Sequence, residues 1–177
     1  MNARLTLLLL SSLTLGACSN LSSPAYLTRA YSEPDAGPRA RLRVVTNGVV
    51  RLIPDADCHD ESKGVGGIVA NDFTTFLTDS HLNNQKLGMP SGITEAHEMT
   101  SEVYVQAGKP INIDFMSQAN AGGGNVWLCA SDWTFVPEEG KDYEVQGRQY
   151  GSQCLLSAMT LDGAKIGHPA PRKCPAK

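Results

Sequence analysis

No apolar run in this chain approaches the ~20 residues that span a bilayer as a helix; the longest, Leu5 to Leu15, is too short. A transmembrane helix is therefore not expected. Basic residues are not in excess either: 15 Lys and Arg stand against 18 Asp and Glu, for a net charge of −3, so a nucleic-acid partner is not expected. No two cysteines lie at the two-to-four-residue spacing of a zinc knuckle. The serines form no Gly-x-Ser-x-Gly elbow. The glycine-rich stretches Gly64-Val65-Gly66-Gly67 and Gly122-Gly123-Gly124 lack the Lys-Ser or Lys-Thr of a phosphate cradle. Neither a calcium loop nor a His-Glu-x-x-His helix is present. These absences predict a non-enzymatic protein with no cofactor.

What is present begins with an address. Arg4, the apolar run Leu5 to Leu15 and the small pair Gly16-Ala17 have the order of a secretory signal peptide, residues 1–17. Leu15-Gly16-Ala17-Cys18 resembles a bacterial lipobox, in which the Cys becomes the acylated mature N-terminus. The resemblance implies that Cys18 carries lipid and anchors the chain in a bilayer, each buried methylene adding ~0.8 kcal/mol. Ser19 stands where an Asp would retain such a protein at the inner membrane, which by the same resemblance implies the outer membrane, facing the periplasm. Residues 18–38, from the lipidated Cys to Pro38, lack periodicity and read as a flexible tether, with docking of Tyr26 and Tyr31 onto the domain as the alternative. Residues 39–177 read as a single domain with a C-terminal strap.

With Cys18 lipidated, Cys58, Cys129, Cys154 and Cys174 remain, an even set in an oxidising compartment, and two disulfides are expected. Three pairings are open. A turn at Asp162-Gly163 favours Cys154 with Cys174, and hence Cys58 with Cys129.

The domain reads as mainly β. Arg39 to Thr46 and Val49 to Ile53 flank Asn47-Gly48, the signature of a type I′ hairpin. Ile68 to Ala70 reads as a short strand, followed by one short helix capped by Asn71 or Asp72 and running through Thr75 and Leu77. Glu102–Gln106, Ile111–Phe115, Val126–Val136, Asp142–Gln146 and Cys154–Leu161 alternate or run apolar between turn signals. Val126–Val136 is apolar on both faces, which predicts a central strand. The spacing gives an antiparallel β-sandwich of about seven to nine short strands.

Several of these segments together carry a resemblance. The lipobox, the Arg-x-Arg-x-Val hairpin ahead of a cysteine, Leu87-Gly88-Met89-Pro90, Val105-Gln106-Ala107-Gly108-Lys109-Pro110 and Phe135-Val136-Pro137-Glu138-Glu139-Gly140-Lys141-Asp142-Tyr143 resemble small uncharacterised proteobacterial outer-membrane lipoproteins with a β-sandwich domain. The resemblance spans most of residues 39–161 and implies no catalytic residue.

Candidate chemistry is sparse. Asp55, Asp57, His59, Asp60 and Glu61 surround Cys58 and could bind a divalent cation, more tightly if Glu95, His97 and Glu98 came alongside. A solvated acidic loop is the favoured reading, so no metal is expected; His59, Asp57, Asp60 and His97 are the candidates should one bind. Arg39, Arg41 and Arg43 share one face of a strand and could meet anionic lipid or peptidoglycan, although a charged edge that blocks sheet aggregation is favoured. Trp127, Trp133, Phe135 and Tyr143 read first as core aromatics and second as a sugar- or protein-binding surface.

The function expected is that of a membrane-anchored periplasmic lipoprotein acting as a binding or structural module of the envelope, with another envelope protein as partner. A periplasmic inhibitor or immunity protein against a secreted hydrolase is one alternative, and a metal-binding enzyme using His59 and His97 is another. Cys18→Ala is expected to move the protein from the membrane to the soluble fraction while leaving its circular dichroism unchanged. Retention of the variant in the membrane pellet would refute the anchor.

Overall fold

The computed structural model describes residues 29–59, 66–72, 82–92 and 98–175. Their strands are β1 Arg39–Thr46, β2 Val49–Pro54, β3 Gly67–Asn71, β4 Met99–Gln106, β5 Ile111–Gly122, β6 Asn125–Phe135, β7 Asp142–Tyr150, β8 Gln153–Thr160, β9 Lys165–Ile166 and β10 His168–Pro169. They make two sheets, ordered β4-β1-β7-β8-β9 and β10-β6-β5-β2-β3, packed face to face as a β-sandwich. Every pairing is antiparallel except β1 with β7, which is parallel. The helix expected beyond Asp72 falls on residues outside those described, whereas Asn71 closes β3.

Alternation along each strand builds the core. Leu42 and Val44 of β1, Val103 and Val105 of β4, and Tyr143 and Val145 of β7 face Val50 and Leu52 of β2, Ile113 and Phe115 of β5, and Trp133 and Phe135 of β6. Full burial of each aliphatic side chain contributes ~1.5–3 kcal/mol. Gly147 in β7 leaves room for the Phe115 ring, since a Cβ there would sit 2.7 Å from Phe115 Cδ2.

The Asn47-Gly48 hairpin does not form. β1 and β2 belong to different sheets, and the dipeptide carries the chain across the sandwich rather than reversing it within one sheet. Neither residue has positive φ, so the type I′ requirement that suggested the hairpin is absent. Their identities serve two other needs. The Asn47 side chain stands in for a strand partner: its Nδ2 donates to Gln149 O at 2.9 Å, and its Oδ1 accepts from Gln149 N at 2.9 Å. Gly48 is needed for close approach, because a Cβ would lie 2.5 Å from Met116 O and 2.6 Å from Ser117 Cβ.

Residues 29–38 pack onto the domain rather than hanging free, as the docked alternative for Tyr31 had it. Tyr31 is buried; its N–H donates to Ile68 O and Ile68 N donates to Arg29 O, so this segment covers the open edge of β3. Glu33 then accepts from Tyr104 N and Gln85 Nε2. Asn84 and Gln85 bond Thr100 and Glu102 and cover the edge of β4.

Both disulfides differ from the favoured pairing. Cys58 pairs with Cys174 and Cys129 with Cys154, with Cα–Cα distances of 5.1 and 5.6 Å. The turn after β8 does return the chain, but β9 pairs over two residues only. Gly167 then redirects the backbone to β6, so Cys174 lands on the other sheet beside Cys58. Cys154 in β8 instead meets Cys129 in β6 and ties the two sheets together. Chain-entropy arguments put the bridges at about 5 and about 3.5 kcal/mol for their 116- and 25-residue separations.

Gly48→Ala should lower stability by about 1–3 kcal/mol through overpacking against Met116 and Ser117, read as a lower melting temperature. An unchanged melting curve would contradict the crossover geometry.

Candidate functional site

Each sheet carries charge on its outer face, and in both cases register places it in a row. On the first sheet Arg43 of β1 lies between Glu102 of β4 and Glu144 of β7, its partners in both ladders. Arg43 Nη2 donates to Glu102 Oε1 at 2.9 Å and Nη1 to Glu144 Oε2 at 3.4 Å. Residues 87–92 close over this row: Leu87 N and Met89 N donate to Glu102 Oε2, while Pro90 O and Met89 O accept from Arg43 Nη2. Burial raises the Glu102 pKa, but the donors from Leu87, Arg43 and Met89 outweigh it and hold the carboxyl below its ordinary value.

On the second sheet the row is Arg51 of β2, Asp114 of β5 and Asp132 of β6, again in register. All three are buried, beneath His59 and the C-terminal strap that the Cys58–Cys174 bridge pins down. His59 N donates to Pro171 O, and Ala170 N donates to Asp132 O, which seats the strap. Arg51 Nη1 donates to Asp114 Oδ2 at 3.0 Å. His59 Nδ1 lies 2.8 Å from Asp132 Oδ1 and 3.8 Å from Asp114 Oδ1, and Arg172 Nη1 lies 2.9 Å from Asp132 Oδ2. The hydrogen bond to Asp132, acting against burial, raises the His59 pKa above the usual imidazole range. Burial raises that of Asp114, with Arg51 opposing. One imidazole nitrogen and two carboxylates so placed can hold a proton or a cation.

Among the described residues, His59 is the one candidate ligand singled out from the sequence that belongs to this cluster. Asp57 is exposed and faces a cleft of about 970 Å³ at the end of the sandwich, shared with Thr134, Tyr143, Asp162 and His168. Asp60 and His97 lie outside the described residues. Asp114 and Asp132, which the sequence reading missed, each stand as the single charge in an otherwise uncharged strand, in Ile-Asn-Ile-Asp-Phe and Ser-Asp-Trp-Thr-Phe; that pattern is the signal they offered.

Arg41 and Arg43 are engaged by carboxylates of neighbouring strands. Arg41 makes a two-pronged contact with Asp142 at 2.7 and 2.6 Å, and Arg43 is buried as described. Arg39 lies over the Tyr104 ring at 4.6 Å. The charged-edge reading fails, because β1 sits inside its sheet between β4 and β7.

β6 also departs from the central strand expected of it. β10 pairs with it only at Trp133 and Thr134, and from Asn125 to Ser131 its far edge has no partner strand among the described residues. Within this stretch Gln149 Nε2 donates to Trp127 O at 3.0 Å. Val126, Trp127 and Leu128 are 54%, 49% and 77% exposed, which removes Trp127 from the core, while Trp133, Phe135 and Tyr143 are buried. The adjacent stretch Gln153–Ser157 of β8 likewise has no partner strand on its outer side among the described residues, and Leu155 is exposed. The glycine loop 122–124 is the tip of the β5–β6 hairpin, with positive φ at all three residues. The fold and these surfaces define a two-sheet β-sandwich with one open side. Comparison with protein-family models, with curated proteins and with solved structures finds no match to this chain.

Arg43→Met should cost about 3–5 kcal/mol, since Glu102 and Glu144 would lose their shared buried cation, whereas Arg39→Ala on the exposed face should cost under ~1 kcal/mol. Denaturant melts of the two variants check this. Because the folded pKa of Glu102 lies below its ordinary 4.5, its contribution is present above that pH and is lost as pH falls through the folded value. Glu102→Gln should therefore lose stability less steeply than wild type between about pH 6 and pH 3.

Proposed function

We propose that this protein is a lipid-anchored, periplasm-facing outer-membrane lipoprotein whose sandwich is a non-enzymatic binding module of the cell envelope. It takes its partner, another envelope protein, by adding an extended segment of that partner to the open edge of β6. The observation that carries this reading is the edge itself: Asn-Val-Trp-Leu-Cys-Ala-Ser, residues 125–131, without charge or proline and with three large apolar side chains exposed.

Natural sheets protect such edges with charge, proline, bulges or covering segments, because unpaired N–H and C=O groups template further strands. The opposite edge of each sheet is covered, β3 by residues 29–31 and β4 by residues 84–85. An uncharged extended segment would complete the ladder of β6 and cover Val126, Trp127 and Leu128, in the manner of strand addition. Two features support a docking role over a catalytic one. His59, Asp114 and Asp132 converge beneath a pinned strap, and what the surface presents at the hairpin is apolar. The lipobox at Cys18 supplies the envelope address.

A photo-crosslinking residue at position 128 of the anchored protein is expected to trap one envelope protein in living cells. The same residue at position 39, on the far sheet, should not trap it. Trp127→Lys introduced beside the crosslinker should reduce the adduct at least tenfold. A band at twice the chain's own mass, or an adduct indifferent to Trp127→Lys, would overturn the reading.

A further inference from the structure

His59, Asp114 and Asp132 come from three separate parts of the chain, yet one ligand atom from each lies within 4.8 Å of the others. The strands fix two of them, because Asp114 and Asp132 are directly opposed on β5 and β6, with both side chains on the outer face. The Cys58–Cys174 bridge fixes the third by holding His59 against the sheet. Each side chain is more than nine-tenths buried.

The carboxylates are incompletely satisfied. Asp114 Oδ1 and Asp132 Oδ2 are sealed from solvent and accept no hydrogen bond. A buried anionic oxygen without a donor is costly, so the space between these atoms calls for positive charge. Arg51 meets this need only at Asp114 Oδ2, on the far side. Arg172 comes nearest, with Nη1 2.9 Å from Asp132 Oδ2 and 3.8 Å from Asp114 Oδ1, but its side chain is 45% exposed and hangs from the strap.

We propose that His59 Nδ1, an oxygen of Asp114 and an oxygen of Asp132 form a binding site for a divalent transition-metal ion of the zinc class, for which the Arg172 guanidinium is a built-in competitor. One imidazole and two carboxylates make a three-ligand set suited to such an ion, with a fourth position left on the Arg172 side. Ligand–metal distances of ~2.0–2.2 Å at tetrahedral angles need ligand atoms roughly 3.3–3.5 Å apart. The 2.8 Å His59–Asp132 contact would open slightly and the 3.8 Å His59–Asp114 contact would close. The imidazole binds neutral, with its proton on Nε2, so metal uptake releases any proton held at Nδ1. Arg172 swings into solvent as the ion enters, exchanging one positive charge for two beside Asp114 and Asp132. The strap stays in place through Cys174, the Ala170–Asp132 bond and the Pro171–His59 bond. The ion thus clips the strap to the sheet, away from the docking edge and independently of it.

Zinc chloride titrated calorimetrically into the full chain in detergent should bind one ion per chain. Arg172→Ala should bind at least tenfold more tightly, because the competitor is gone, and Asp132→Asn placed on that background should abolish binding. His168→Ala, at the exposed histidine, should leave it unchanged. Cobalt(II) bound to Arg172→Ala should give visible absorption of a nitrogen–oxygen tetrahedral site. Zinc should also raise the melting temperature of the wild-type protein, a readout that needs no variant to fold. Absence of binding by Arg172→Ala, binding that survives Asp132→Asn, or loss of binding in His168→Ala would overturn the proposal.

Discussion

The structure depends on charge buried across the outer faces of its sheets. Arg43 between Glu102 and Glu144 does more than neutralise two acids. It joins β4 and β7 through β1, and β1–β7 is the parallel seam that unites the early strands with the late ones. Parallel neighbours cannot be linked by a tight turn, and here the link spans most of the chain. Arg41 with Asp142 repeats the connection one pleat away. A misregister of one residue would turn the arginines into the core and leave buried acids unpaired, so these pairs specify register as much as they stabilise it.

The same logic explains why the sandwich is covered. A sheet with charges paired across its outer face still needs donors and acceptors for the remaining atoms. Residues 87–92 supply them on one sheet through backbone groups. On the other, His59 and the strap lie over Arg51, Asp114 and Asp132, and there the satisfaction is incomplete, with Asp114 Oδ1, Asp132 Oδ2 and the Asn112 amide lacking hydrogen-bond partners. A disulfide holds this cover where hydrogen bonding alone is thin. One face is thus closed by backbone and the other by covalent pinning, while the side formed by β6 and β8 stays open. That asymmetry sets the functional reading: sealed polar groups on the faces, exposed apolar groups at the edge.

Much of the strand pattern was legible, because alternation along β4, β5 and β7 reports which side chains face the core whatever strand lies next door. Pairing was not. Asn47-Gly48 has the composition of a tight hairpin, but its glycine was selected by the backbone of Met116 and its asparagine by that of Gln149. Trp127 has core composition and sits on the surface, since its strand outruns the sheet beside it. Arg41 and Arg43 looked like surface charge because their partners, Asp142, Glu102 and Glu144, lie dozens of residues away. His59 stood out as a possible ligand, but two acids that it meets, Asp114 and Asp132, reach it only across strands.

By itself the sequence determined what is local: the strand periodicity and an even set of four cysteines beyond Cys18. These follow from backbone dihedrals and side-chain alternation, which depend on near neighbours. The tertiary structure alone decided which strands pair, which cysteines bond, where the arginines find carboxylates and which edge is left open. Each of those outcomes joins residues far apart in the chain, and only the packed sheets bring them within hydrogen-bonding reach.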